Sequence, residues 1–242
     1  MRNYANETEA RVEYIRGYLR SSGARGIVFG NSGGKDSALV GILCRLACDD
    51  TVGVIMPCAS KRNYGMDRDD GLEVAEKFGI ETRTVDLTPV REAELAALSG
   101  VTKMTEMAVA NIAPRLRMLT LYAIAHAEGR IVAGTGNASE AYVGYFTKWG
   151  DGAYDLNPIA DLTVGEIYEF LGYLGCPRAI IEKAPSAGLF EGQTDESEMG
   201  VSYADIDKVV KGRETEPDIK ARIERMHAAT EHKRRMPSRY GG

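Results

Sequence analysis

Short strand-like runs alternate with helical segments along the chain up to residue 145 of 242. Four of the runs predict strands, at residues 26–29, 51–56, 82–87 and 130–134, and the first two of these are predicted to be buried. Segments with apolar residues at helical spacing precede or separate them, at residues 5–21, 37–48, 67–78, 89–98 and 103–127. Strands that are separated by helices connect in parallel, through crossovers that cover both faces of the sheet. The sequence therefore predicts an α/β fold with a doubly wound parallel sheet and helices on both faces.

Beyond residue 146 this alternation ends. Residues 147–158 are rich in glycine, aspartate and asparagine, which predicts a functional loop, and helices are predicted at 163–175, 203–211 and 217–230. Residues 185–200 combine proline, glycine and acidic residues, and therefore predict a mobile surface loop or lid. Because no repeat or linker divides the chain, we expect one domain over residues 1–242, with a helical and lid region from about residue 160.

Composition excludes several classes of protein. The 30 basic and 35 acidic residues leave a net charge of −5, which argues against a general nucleic-acid binder. The longest uncharged stretches, 51–60 and 118–127, are ten residues long, and a membrane helix needs ~20. The first ten residues carry charges and no apolar segment, so they do not resemble a signal peptide. With four cysteines, too few for a disulfide scaffold, we expect a reduced, cytoplasmic protein that binds neither nucleic acid nor membrane.

The sharpest local signal is a glycine-rich segment between the first predicted strand and the following helix. It consists of Gly30, Asn31, Ser32, Gly33, Gly34, Lys35, Asp36 and Ser37. A nucleoside triphosphate needs exposed backbone N–H groups and a helix N-terminus that faces its charge. The glycines allow this approach, the serines supply hydroxyl groups, and Asp36 can hold a magnesium ion. The segment resembles the SGGxDS phosphate loop of the ATP pyrophosphatase superfamily, which cleaves ATP between its α and β phosphates; the alternative is an ordinary glycine-rich turn.

Further segments narrow the family. They occur in a fixed order along the chain, at residues 134–140, 144–152, 155–158, 183–187, 192–196 and 231–235. The first follows the fourth predicted strand, at the edge where a doubly wound sheet binds ligands. Together they resemble ammonia-dependent NAD synthetase over nearly the whole chain. The resemblance implies an adenine-nucleotide alpha-hydrolase-like fold and a C–N bond-forming ligase. Nicotinic acid adenine dinucleotide (deamido-NAD), ATP and ammonia would give NAD, AMP and pyrophosphate through an acyl-adenylate.

The resemblance also implies roles for individual residues. The ATP-binding residues would be the phosphate loop, 30–37, with Thr135 and Ser186. Magnesium would be held by Asp36 and Glu140. The deamido-NAD-binding residues would be Arg115, Lys148, Asp155, His232 and Lys233. Asp151 is the candidate for positioning ammonia during catalysis. The same resemblance implies a homodimer, for which the helix at 103–127 can supply the interface.

One position departs from the family pattern. Bacterial members carry a lysine that touches the ATP phosphates where this chain has Val164, whereas Lys35 occupies an often uncharged position of the phosphate loop. We predict that Lys35 is catalytic and stabilises the leaving pyrophosphate in place of the missing cation. The alternative is that Lys35 points to solvent and that Lys183 or magnesium supplies the charge.

Two other functions stay open at this point. A tRNA-modifying ATP pyrophosphatase would call for a basic surface, an RNA-binding domain or a reactive cysteine pair. A non-catalytic adenine-nucleotide binder predicts a degraded loop or magnesium site, yet Asp36 and Glu140 are both present. Arg117, two residues from Arg115, points elsewhere on a helix and predicts a surface or interface ion pair. Arg234 and Arg235 predict a solvated basic tail.

Overall fold

One parallel sheet organises the computed structural model, which describes residues 2–59, 65–183 and 195–241. Its strands are β1 (Gly26–Gly30), β2 (Thr51–Ile55), β3 (Glu81–Thr84) and β4 (Arg130–Ala133), in the order β3-β2-β1-β4. All neighbouring strands are parallel, and Val28 of β1 is paired with Val52 and Val132. The predicted doubly wound sheet is confirmed. The reversal of strand order at β1 places the carboxyl ends of β1 and β4 side by side.

Helices make up most of the other regular structure in the described residues. They are α1 (Tyr4–Ser22), α2 (Lys35–Ala47), α3 (Met66–Phe78), α4 (Thr88–Leu98), α5 (Glu106–Ala110), α6 (Ile112–Glu128), α7 (Ala138–Val143), α8 (Val164–Tyr173), α9 (Arg178–Glu182), α10 (Asp195–Met199), α11 (Tyr203–Val210), α12 (Pro217–Ala229) and α13 (Glu231–Arg234). Within the described ranges, none of them combines the length and the apolar character that a membrane crossing requires.

Both faces of the sheet are covered. Successive strand residues point to opposite sides, so Ile27 and Phe29 pack against α1, α2 and α8, whereas Val28 packs against α6. A third apolar cluster joins α7, α8, α11 and α12, and it includes Val164 and Tyr203. This cluster holds the C-terminal helices against the end of the sheet where the carboxyl ends of the strands lie.

The predicted helix at 103–127 is interrupted, but not by Pro114. Helix α5 ends at Ala110 and α6 begins at Ile112, so the break lies at Asn111. Pro114 is the third residue of α6, where a missing N–H leaves no hydrogen bond unmade because the first turn lacks acceptors for it. Pro114 therefore begins a helix rather than breaking one.

Candidate active site

A cavity of about 680 Å³ opens at the carboxyl ends of β1, β2 and β4. This is the edge at which open parallel sheets bind ligands, and the volume suits a nucleotide. Most of the predicted ATP-binding residues line it: Gly30, Asn31, Ser32, Gly34, Lys35, Asp36, Ser37 and Thr135. Ser186 lies outside the described residues. The structure thus brings the phosphate loop and the end of β4 together around one cavity.

The phosphate loop is folded by contacts that require its residue types. Gly33 has a φ of +69°, and a Cβ atom at this position would overlap the carbonyl oxygen of Asp67. The buried Asn31 side chain donates from Nδ2 to the Gly71 carbonyl (3.0 Å), and its Oδ1 accepts from the Gly33 N–H (3.3 Å). The hydroxyl oxygens of Ser32 and Ser37 are 3.1 Å apart. The loop is therefore shaped before any ligand binds.

Two carboxylates from the first turns of α2 and α7 line the cavity. Asn137, fully buried after β4, donates from Nδ2 to Asp36 Oδ1 at 3.1 Å. Its backbone N–H donates to Glu140 Oε2 at 3.2 Å, and its Oδ1 accepts from the Glu140 N–H at 2.9 Å. Desolvation and then the negative charge of Asp36 raise the pKa of Glu140 to about 8. A positive group in this part of the cavity would be strongly stabilised.

Magnesium fits these two carboxylates. In the described ranges no group of three or more His, Cys, Asp and Glu side chains is arranged to hold a metal by itself. Magnesium commonly binds through one or two carboxylates and completes its shell with substrate phosphates and water. Asp36 and Glu140 both line the cavity beside the phosphate loop, so their oxygens suit a metal that arrives with a nucleotide.

Lys35 points into this cluster and not to solvent. Its side chain is 6% exposed, and its Nζ donates to Asp36 Oδ2 at 2.7 Å. The Nζ also lies 5.6 Å from the ring centroid of Tyr203. Burial alone would lower the pKa of Lys35, but Asp36 and Glu140 outweigh it and raise the pKa. The solvent-exposed alternative for Lys35 is therefore wrong.

Val164 lies elsewhere. It is 4% exposed, packs in the apolar cluster that contains Tyr203, and lines a second, smaller cleft. The residues described around the main cavity do not include it. Tyr203 shares the cluster and the cleft of Val164, and its ring faces the ammonium group of Lys35.

Asp151 and Arg117 occupy another wall of the cavity. The Asp151 carboxylate accepts from the Thr147 N–H at 2.8 Å, and desolvation by the surrounding protein raises its pKa although the residue as a whole is exposed. Arg117 donates from Nε to the Met56 carbonyl at 3.2 Å, and desolvation lowers its pKa. The prediction of a surface position for Arg117 is wrong. The spacing on α6 correctly separates it from Arg115, but Arg117 is the one that faces the cavity.

The five predicted deamido-NAD-binding residues do not all line the same cavity. Lys233 lines the cavity and donates from Nζ to the carbonyls of Gly144 and Phe146, both at 2.7 Å. Lys148 Nζ donates to the His232 carbonyl at 2.7 Å, and the Lys148 carbonyl accepts from the exposed Arg115 at 3.4 Å.

Asp155 is engaged within the fold. Its Oδ2 accepts from the Val132 N–H of β4 at 2.8 Å, and its Oδ1 accepts from the Tyr122 hydroxyl at 3.2 Å. Around the cavity that the described residues form, Lys233 is a lining residue, whereas Arg115, Lys148, Asp155 and His232 are not.

Lys183 is a cavity residue that the sequence offered only as an alternative cation. Its Nζ lies 2.8 Å from Asp67 Oδ1, 2.5 Å from Asp70 Oδ2 and 3.3 Å from the Gly33 carbonyl. The ammonium group therefore ties the phosphate loop to the first turn of α3. No spacing in the sequence indicates this contact, because Lys183 is 150 residues from Gly33.

Asp195 was missed because it belongs to a predicted lid. It is 4% exposed and accepts hydrogen bonds from the hydroxyls of Tyr203 (3.0 Å) and Tyr145 (3.3 Å). Helix α10 starts at this residue, so the described part of the 185–200 segment is anchored by a buried carboxylate.

Comparisons with known proteins agree on one family. The family model described as NAD synthase matches residues 7–237. The curated NH(3)-dependent NAD(+) synthetase of Carboxydothermus hydrogenoformans is 43% identical over 238 residues and covers 97% of each chain.

Solved structures of similar proteins superpose over nearly the whole chain. NMN synthetase from Francisella tularensis has a TM-score of 0.93 at 37% identity, with 99% of each chain covered. NAD+ synthetase from Burkholderia pseudomallei has a TM-score of 0.80 at 31% identity, with 98% of this chain and 92% of that chain covered. The sequence match and the superpositions point the same way: the chain belongs to the NAD synthase family.

Proposed function

We propose that this chain is a ligase that makes NAD from deamido-NAD, ATP and ammonia, with release of AMP and pyrophosphate. The observation that carries the proposal is the meeting of Asp36 and Glu140 beside the phosphate loop, in a cavity of nucleotide size. Membership of the NAD synthase family and the name of the 43% identical relative support the choice of substrates.

Activation of the carboxylate is the first step. A carboxylate oxygen of deamido-NAD attacks the α-phosphorus of ATP, the bond to the bridging oxygen of the β-phosphate breaks, and pyrophosphate leaves. The nucleophile is already an anion, so this step needs no general base. It needs alignment and positive charge around the phosphates. Lys35, Lys183 and Arg117 line the cavity and can supply that charge.

Asp36 and Glu140 are proposed to hold magnesium during this step. Bound there, the metal would neutralise negative charge that builds up on the departing pyrophosphate. Asn137 contacts both carboxylates and keeps them oriented. Lys35 is proposed to act on the same leaving group, because its ammonium lies beside Asp36 in the cavity wall.

Amide formation is the second step. Ammonia attacks the acyl carbon, the bond between that carbon and the AMP oxygen breaks, and the nitrogen loses a proton. We assign the positioning of ammonia to Asp151. Its carboxylate has a raised pKa and a fixed hydrogen bond from Thr147, so it can hold an ammonium ion and accept a proton.

The pyridine dinucleotide is proposed to bind near the outer end of the cavity. Arg115, Lys148, His232 and Lys233 would contact it, since backbone contacts already connect Arg115, Lys148 and His232. Asp155 would keep its bond to the Val132 N–H and offer the oxygen that Tyr122 now binds.

We also propose a homodimer with α6 at the interface. Sedimentation velocity at assay concentration would test this proposal, and a fully active monomer would contradict it.

An end-point assay tests the proposal. The purified protein is incubated with magnesium, ATP, ammonium and deamido-NAD, and NAD and AMP are separated by chromatography. We expect equimolar NAD and AMP that depend on all three substrates. AMP that appears only after tRNA is added would favour a tRNA-modifying ATP pyrophosphatase. No AMP under any condition would favour a non-catalytic nucleotide binder.

The same assay should include nicotinic acid mononucleotide as a second substrate, because of one structural comparison. The TM-score of 0.93 belongs to a structure described as NMN synthetase, and NMN carries the same carboxamide on a single nucleotide. Nicotinic acid mononucleotide and deamido-NAD are therefore supplied together at equal concentrations. The ratio of NMN to NAD formed equals the ratio of the two kcat/KM values. An excess of NAD supports the first proposal, and an excess of NMN supports the mononucleotide.

A further inference from the structure

Lys35 places a positive charge where the proposed function needs a metal ion. Its side chain is 6% exposed, and its ammonium lies 2.7 Å from Asp36 Oδ2. Buried ammonium groups require a counter-charge, because desolvation of an unpaired charge is costly. In this cluster the counter-charge that contacts Lys35 is Asp36, one of the two residues proposed to bind magnesium.

Both oxygens of Asp36 are occupied in the ligand-free chain. Oδ1 accepts from Asn137, Oδ2 accepts from Lys35, and one oxygen of Glu140 accepts from the Asn137 N–H. A divalent cation that approached Asp36 would meet the Lys35 ammonium at close range. Repulsion between the two cations would oppose binding of the metal alone, since it is weakly screened in a partly dry cavity.

We propose that Lys35 is an exchangeable counter-cation of this site. In the free enzyme it neutralises Asp36; when ATP and the metal bind together, its ammonium moves from Asp36 to the triphosphate and leaves Asp36 to the metal. The metal and ATP should then bind with strong mutual cooperativity. This inference rests on the proposed function and adds an order to it: the metal enters with ATP rather than before it.

The surroundings of Lys35 allow such a movement. Lys35 is the first residue of α2 and lines the cavity, so its flexible four-carbon stem can reach a phosphate without unfolding the helix. The ring of Tyr203, 5.6 Å from the ammonium, is held by the hydrogen bond from its hydroxyl to Asp195. This ring provides a fixed aromatic face beside both ends of the movement.

Manganese binding to the whole protein tests the inference without measuring turnover. Free Mn²⁺ is quantified by electron paramagnetic resonance during titration of wild type, Lys35→Met and Lys233→Met. Lys233 is the matched control, because it is another cavity lysine but donates to backbone carbonyls and frees no carboxylate when removed. We expect Lys35→Met to bind Mn²⁺ about tenfold more tightly than wild type, and Lys233→Met to change affinity less than about threefold.

A second measurement tests the cooperativity between the metal and the nucleotide. Wild type is titrated with Mn²⁺ in the presence and absence of α,β-methylene-ATP, which cannot be cleaved at the α phosphate. We expect about tenfold or greater tightening of Mn²⁺ binding by the analogue, and a smaller effect in Lys35→Met. Equal Mn²⁺ affinity with and without the analogue in wild type would overturn the inference. So would equal affinities in Lys35→Met and Lys233→Met.

The two proposals fail separately. A protein that makes NAD while Lys35→Met leaves Mn²⁺ affinity unchanged has the proposed function but no exchangeable counter-cation. A protein that shows the Mn²⁺ effects but forms no NAD or AMP retains the counter-cation and lacks the proposed function. Circular dichroism of each variant confirms that the comparison concerns folded protein.

Discussion

Asn137 donates a side-chain hydrogen bond to Asp36 across 101 residues of sequence, with 3.1 Å between Nδ2 and Oδ1. The contact joins the loop after β4 to the loop after β1. It depends on the strand order, because β1 and β4 are neighbours with their carboxyl ends together. Through this one amide, the fold couples the two carboxylates of the candidate magnesium site.

Asn137→Ser should remove the contact with Asp36 while it keeps most of the stability of α7. Serine is a good N-cap residue, so the free energy of unfolding should fall by about 1 kcal/mol or less. The shorter side chain cannot hold Asp36, and loss of such an orienting contact lowers metal affinity or activity about 10- to 100-fold. Magnesium dependence of the initial rate, measured beside urea unfolding, checks both parts. Unchanged magnesium dependence would show that Asn137 does not orient Asp36.

Gly33→Ala should disturb the phosphate loop in two ways, through its backbone conformation and through a steric overlap. The position has a φ of +69°, and the new Cβ would overlap the carbonyl oxygen of Asp67. Left-handed backbone at a non-glycine residue costs about 1–3 kcal/mol, and relief of the overlap moves the loop away from α3. We expect a loss of affinity for α,β-methylene-ATP of at least tenfold by calorimetry.

Gly172→Ala is the matched control for that variant. Gly172 lies in α8, and a Cβ atom there would have open space around it. Alanine is favoured over glycine within helices, so we expect a gain of about 0.5–1 kcal/mol in unfolding free energy and no change in nucleotide affinity. Equal nucleotide affinity in Gly33→Ala and Gly172→Ala would mean that the loop does not need its left-handed glycine.

Glu166→Gln should lower stability more near neutral pH than in acid. Burial would raise the pKa of Glu166, but hydrogen bonds from Thr163 and Arg2 outweigh it and hold the pKa below 4.5. The carboxylate therefore binds fewer protons in the folded state, so its stabilisation is present above that pH and is lost as pH falls through the folded pKa. We expect a deficit of about 1–2 kcal/mol at pH 7 that becomes smaller as the pH falls through the folded pKa, and is therefore smaller at pH 3.

Urea unfolding at both pH values measures this difference. The exposed pair of Glu13 and Arg20 supplies a control, since both side chains are more than half exposed and such pairs contribute little. Glu13→Gln should therefore change stability by less than about 0.5 kcal/mol at either pH. A Glu166→Gln deficit that is the same at both pH values would exclude ionisation as its cause.

Asp151→Asn should act on the second chemical step alone. The amide cannot accept a proton from ammonium, so we expect the KM for ammonium to rise by at least tenfold. The KM for ATP and the rate of pyrophosphate exchange into ATP should stay near the wild-type values, because those report carboxylate activation. An unchanged ammonium dependence would remove Asp151 from the account.

Lys35→Gln tests the catalytic role of the phosphate-loop lysine. If Lys35 stabilises the leaving pyrophosphate, kcat/KM should fall by about two orders of magnitude. Val164→Lys is not expected to restore it, because Val164 is buried in an apolar cluster and lies outside the main cavity that Lys35 lines. A loss worth less than about 1 kcal/mol would contradict a catalytic role for Lys35, and full rescue by Val164→Lys in the double variant would contradict the separation of the two positions.

Sequence patterns predicted the central strand β1 well because it is covered on both sides. Val28, Ile27 and Phe29 are all buried, so β1 appears as an uninterrupted apolar run that ends in glycines. Helix α7 was not predicted, because six residues are too few to show a period. Its only local signal is the capping box of Asn137 and Glu140, in a segment that had been assigned to ligand binding.

The missed side chains depend on long-range contacts. Arg234 was predicted to be solvated, but it donates from Nη1 to the carbonyls of Ala141 (3.2 Å) and Tyr142 (3.1 Å), more than 90 residues away. Helical spacing predicts that the side chains of Arg117 and Arg115 point in different directions from α6, but it does not predict which of them faces the cavity. That choice is made by the packing of α6 on β1 and β4, which a local pattern does not contain. Exposed Arg235 matches its prediction.

Carboxyl-labelled deamido-NAD gives the most direct test of carboxylate activation at this phosphate loop. The substrate carries ¹⁸O in its pyridine carboxylate, the reaction runs in unlabelled water with ATP and ammonium, and the products are analysed by mass spectrometry. Attack of the carboxylate on the α-phosphorus transfers one labelled oxygen to AMP, because the acyl C–O bond breaks when ammonia adds. We predict one ¹⁸O in each AMP and none in pyrophosphate. Unlabelled AMP, or label in pyrophosphate or phosphate, would contradict activation through an acyl-adenylate.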